Sequence, residues 1–109
     1  MKNNGNMNCF GFTVDMPYGS ATDTLEEIKK WRSSISIETI VNHMATLDVG
    51  YMCSLGLSKD LFTGEEFPAG IIIDGTFVYP IDILRFLKRG DIHGVPKEYE
   101  EYLIEHHGL

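Results

Sequence analysis

Cysteine is scarce in this chain: Cys9 and Cys53 are the only two among 109 residues. That is too few for the disulfide framework of a small secreted domain. Long apolar runs are missing as well, and none follows Lys2, so neither a signal peptide nor a membrane-spanning helix is expected. The default is a cytoplasmic protein with reduced thiols. Basic residues are few: nine Lys and Arg stand against sixteen Asp and Glu, a formal net charge of −7. Direct binding of nucleic-acid phosphate needs clustered cations and is disfavoured. There is no phosphate-binding loop, since the glycines at 50, 56, 64 and 70 are widely spaced and none precedes Lys-Ser or Lys-Thr. There is no nucleophile elbow around Ser54 or Ser58, and no internal repeat.

What the chain does have is the composition of a folded domain. Hydrophobic residues make up 43% and charged residues 23%, close to globular averages, so a core can form without staples. The clearest local signals lie between Ala69 and Gly90. An apolar run, Ile71 to Ile73, meets Asp74-Gly75, a dipeptide suited to a tight type I′ hairpin turn, and a second strand, Thr76 to Tyr79, follows. Pro80 then fits the first turn of a helix that ends at Gly90 behind Lys88 and Arg89. Ile81, Ile83, Leu84, Phe86 and Leu87 leave only a narrow polar strip of Asp82, Arg85 and Arg89, which marks a buried, central helix.

Elsewhere the pattern is plainer. Phe10, Phe12 and Val14 alternate with Cys9, Gly11 and Thr13 as in a half-buried strand, the natural partner for the hairpin. Capping-box spacing at Asp23/Glu26 and Thr24/Glu27 opens a helix that runs to about Arg32. Ser36 caps a second helix with Ile37, Ile40, Val41, Met44 and Leu47 on one face. Residues 56–70 read as a long loop with a short helical turn at Ser58–Phe62. Pro96 opens a last helix with Tyr99, Tyr102, Leu103 and His106 on one face. The expectation is an α+β fold: a small three-stranded antiparallel sheet with the hairpin 70–79 at its centre and about four helices packed mainly on one face. Residues 1–8 would be a flexible tail and residues 9–109 a single compact domain.

Catalytic chemistry has little to stand on. Glu26-Glu27, Glu65-Glu66 and Glu100-Glu101 are adjacent pairs, which do not face each other across a cleft. Tetrahedral metal sites are usually announced by closely paired ligands, and none occurs; His106 and His107 are neighbours on a helix and point about 100° apart. No catalytic residue, metal or cofactor is therefore expected. If a metal-supported or thiol-dependent protein were built after all, its ligands would come from Cys9, His43 and Cys53, with His106, or else His93 or His107, as a fourth. The remaining feature is the acidic carboxyl end, where Asp91 to Leu109 hold five acidic groups against Lys97 alone. These features point to a non-enzymatic protein-binding module, a monomer or homodimer. It would dock on the basic, nucleic-acid-binding surface of a larger protein as an inhibitor, in the style of compact acidic phage counter-defence proteins. The expected contact residues are Glu98, Glu101, Glu105, Tyr102, Glu65 and Glu66.

Overall fold

Gly75 decides the geometry of the central hairpin. In the computed structural model, which describes all residues from Met1 to Leu109, strand β6 (Gly70–Asp74) pairs antiparallel with β7 (Phe77–Pro80), and Asp74 lies opposite Phe77. The turn is therefore Gly75-Thr76, one residue later than the dipeptide in the sequence suggests. Gly75 has φ +61°, and no non-glycine residue has a positive φ. Glycine alone at the first turn position is the type II′ pattern rather than type I′. The shift has a large consequence: Asp74 is no longer a turn residue but the last residue of a strand, on the same face as Ile72.

The sheet around this hairpin is larger than expected and corrects the three-stranded antiparallel reading. Five strands run in the order β1 (Lys2–Asn4), β2 (Met7–Cys9), β7, β6, β3 (Val49–Tyr51), and the β2–β7 pair is parallel, so the sheet is mixed. A separate two-stranded sheet joins β4 (Leu57–Lys59) to β5 (Glu66–Pro68). Residues 1–8, expected as a tail, supply β1 and part of β2, with Gly5 turning between them at φ +65°. Polar residues suffice there because a rim strand is wetted on its outer side, so no apolar alternation marks it. The expected strand at 9–14 leaves the ladder after Phe10, whose N–H still reaches Val78 O at 3.0 Å. Gly11, at φ +83°, turns the chain hard against Ile83, and Val14 ends up 79% exposed. In the 56–70 segment the β4–β5 hairpin takes the place of the expected helical turn.

The α+β class and the four helices are as the pattern indicates. Helix α1 (Leu25–Lys30) starts with the Thr24/Glu27 capping box, both halves of which are made. Helix α2 (Ile37–Met44) is capped by Ser36, and α3 (Ile81–Arg89) and α4 (Lys97–His107) both end on left-handed glycines, Gly90 and Gly108. No helix is long and apolar enough to cross a membrane. The core lies between the helices and one face of the sheet, with Phe10, Tyr79 and Tyr99 packed together at its centre: the Phe10 ring is stacked 4.8 Å from Tyr79 and lies tilted 5.1 Å from Tyr99. The other face, carrying Ile71, Val78 and Cys9, borders a groove of about 370 Å³.

One close approach locks α1 to the α3–α4 connection. Arg32 and His93 form a parallel bridge, and a Cβ on Gly94 would fall 2.7 Å from the backbone of Arg32 and Ser33. Gly94→Ala is expected to cost about 2–3 kcal/mol, because backbone rather than a mobile side chain must move. Urea unfolding would register this as a lower midpoint at constant slope; a change below about 0.5 kcal/mol would show that the connection yields freely.

Candidate functional site

Four side chains from two helices converge on Asp74. Asp74 Oδ2 is 2.8 Å from His43 Nε2 and accepts from the Tyr99 hydroxyl at 2.8 Å. Oδ1 accepts from the Tyr102 hydroxyl at 3.2 Å and is 3.3 Å from His107 Nε2. Each carboxylate oxygen thus holds one imidazole and one phenol. Behind this layer the Tyr79 hydroxyl lies 3.1 Å from that of Tyr99, so the chain of polar groups continues into the core. The placement follows from local structure. Asp74 is aimed at the helices by the hairpin register, His43 comes from the last turn of α2, and Tyr99, Leu103 and His107 recur every four residues along α4.

Burial alone would push the Asp74 carboxyl up, but hydrogen bonds from His43, Tyr99 and Tyr102, together with the charge of His43, outweigh it and hold the group below its ordinary value. The phenols respond in the opposite sense. Desolvation raises Tyr99 and Tyr79, and Tyr99 is raised further by Tyr79 and Asp74; Tyr102 is raised by desolvation and by Asp74. They stay protonated and act as donors. Exposure is graded across the site: the Asp74 side chain is 4% accessible, His43 11% and His107 32%. His43, Asp74 and His107 are also the one His/Cys/Asp/Glu group with ligand atoms close enough to share a metal ion, all within 4.8 Å of one another.

Three further buried carboxylates, Asp23, Asp60 and Asp82, are structural; Asp23 pairs with the amino terminus and accepts from the Gly11 N–H at 2.8 Å and Thr22 Oγ1 at 2.8 Å. Asp60, at the start of the β4–β5 loop, accepts from Arg89 Nη1 at 2.6 Å and Nη2 at 3.0 Å, and from the backbone N–H of Phe62 and Thr63. Its burial favours the neutral acid, but the Arg89 hydrogen bonds and the two amides win and hold the carboxyl well below the usual range. Asp82 on α3 was expected in a polar strip but is fully buried. It accepts from Ser58 Oγ at 2.8 Å and Tyr18 Oη at 3.2 Å, and desolvation raises its carboxyl.

The residues singled out from the sequence are dispersed. Glu98, Glu101 and Glu105 are exposed on α4, and no lysine or arginine of the chain pairs with them. Tyr102 is turned toward Asp74 instead of outward. Glu65 lies 3.4 Å from Arg85, and Glu66 is exposed on β5. Of the possible metal ligands, only His43 and His107 reach the cluster. Cys9 lines the groove on the opposite sheet face, Cys53 is exposed in a 3₁₀ turn (Cys53–Leu55), and His106 rests against the Tyr102 ring at 4.8 Å. Asp74 was missed, and His107 stood only as one of three alternatives for a fourth ligand. The four-residue step from Tyr99 through Leu103 singles out His107 among those alternatives.

No protein-family description, no curated protein and no solved structure matches this chain.

Proposed function

We propose that this chain is a non-enzymatic protein-binding module that docks the acidic face of α4 on a basic, nucleic-acid-binding surface of a larger protein and so acts as an inhibitor. One observation carries the reading: Glu98, Glu101 and Glu105 face solvent without an internal cation. The arginines that could have neutralised them are engaged elsewhere, Arg89 with Asp60 and Asp91, Arg85 with Asp60 and Glu65. Unpaired carboxylates on a rigid helix keep their long-range field and steer encounter with a cationic surface. Ile104, 45% exposed on the same helix, supplies an apolar contact among them. Tyr102 drops out of the contact surface because its hydroxyl is spent on Asp74.

Affinity capture from the native host, followed by titration of the purified partner, tests this. Reversing Glu98, Glu101 and Glu105 to lysine should weaken binding at least tenfold while lowering the unfolding free energy by no more than about 1 kcal/mol, the part Glu98 contributes in the first turn of α4. The wild-type affinity should fall steeply with ionic strength, and nucleic acid should compete for the partner. Affinity indifferent both to salt and to the three reversals would remove the docking reading.

A further inference from the structure

We infer that His43, Asp74 and His107 form a binding site for one divalent transition-metal ion of the zinc class, an inference that does not depend on the docking face. Each of the three side chains comes from a different element, α2, β6 and α4, yet both imidazoles present the same nitrogen, Nε2, to the same carboxylate. The two rings stand with centroids only 4.3 Å apart and tilted by 49°, an arrangement in which two imidazolium charges would repel each other. A cation between neutral rings and a carboxylate reverses that sign.

The distances suit such an ion. Zinc–nitrogen and zinc–oxygen bonds of about 2.0–2.2 Å, opened at tetrahedral angles, place neighbouring ligand atoms about 3.4 Å apart. His43 Nε2 lies 2.8 Å from Oδ2 and His107 Nε2 3.3 Å from Oδ1, and with one ligand atom from each residue the three lie within 4.8 Å of one another, so the exposed His107 side chain has to draw in toward the other two as the ion binds. Two nitrogens and one oxygen select borderline ions over magnesium or calcium, which prefer all-oxygen shells. The phenols of Tyr99 and Tyr102 supply the support that ligating carboxylates usually have: one hydrogen bond to each Asp74 oxygen, fixing the plane of the group. Access is from the side of His107, the most exposed of the three. On coordination each neutral imidazole carries its proton on Nδ1 and offers the Nε2 lone pair, so acid competes with the metal for the same nitrogens.

Calorimetric titration of the untagged, chelator-treated full chain with zinc chloride tests the assignment, with cobalt(II) absorption reporting nitrogen and oxygen ligation. One ion per chain and a raised Tm are expected. Affinity should fall at least tenfold in His43→Ala and in His107→Gln, and stay within about twofold in His106→Ala, whose ring lies one position away on the same helix end. His107→Gln lies at the exposed end of α4 and keeps the fold, so it carries the test even if His43→Ala is unstable. Absence of stoichiometric binding, retention of affinity in His107→Gln, or an equal loss in His106→Ala would each overturn the site.

Discussion

Asp74→Ala is expected to destabilise the protein by about 3–5 kcal/mol, the largest effect of any single substitution considered. The carboxylate is almost wholly buried and is the acceptor on which two phenols and two imidazoles converge. Removing it leaves donors without a partner in a dry environment, each costing about 1–3 kcal/mol, and breaking a buried charged network typically costs about 3–5 kcal/mol in all. Asp74→Asn preserves the shape but turns a donor toward donors, so it should recover only part of the loss. Urea unfolding at neutral pH measures both. A loss under about 1 kcal/mol in the alanine variant would mean that the network is ornamental.

The pH dependence provides a separate check. Asp74 titrates below its ordinary value of 3.8 in the folded protein, so its stabilisation is in place above that value and disappears as the pH falls through the lower, folded value. The wild type should therefore lose stability on acidification below about pH 4, and Asp74→Asn should lose less over the same interval. Equal slopes for the two proteins would contradict the depressed carboxyl.

The second large effect is expected at Asp60. Asp60→Ala should cost about 3 kcal/mol, because the guanidinium of Arg89 loses its buried counter-ion and the amides of Phe62 and Thr63 lose their acceptor together. The figure lies at the low end for a broken buried pair because the Arg89 side chain is 32% exposed and water can replace part of what it loses. A double-mutant cycle with Arg89→Ala should give a coupling of at least 1 kcal/mol, and hydrogen exchange at Phe62 and Thr63 should accelerate selectively. Additive losses, with protection at these two amides unchanged, would show that Asp60 does not tie the β4–β5 hairpin to α3.

What could be read from the sequence was local. The 70–90 unit, the capping box at Thr24 and the amphipathic stripe of α2 each announce themselves within a few residues, and each is present. What could not be read was decided by partners distant in sequence. Lys2–Asn4 and Met7–Cys9 carry no alternating pattern, and β2 becomes a strand through parallel pairing with β7, Asn8 opposite Phe77. Asp74 was concealed by its own neighbour: Asp-Gly advertises a turn, and moving that turn by one residue converts a loop carboxylate into the hub of a buried cluster. For α4, the tyrosine face suggested His106, whereas the contact with the hairpin tip falls one residue further along, at His107.

The two outer rims of the mixed sheet constrain how this protein can meet another copy of itself. One rim is Lys2–Asn4 and the other Val49–Tyr51, each three residues long, the first polar and the second with glycine at its midpoint. Ribbons so brief, one of them headed by a lysine, offer poor templates for an incoming backbone. Growth of this sheet by strand addition, the route to fibrils and swapped assemblies, is thereby discouraged.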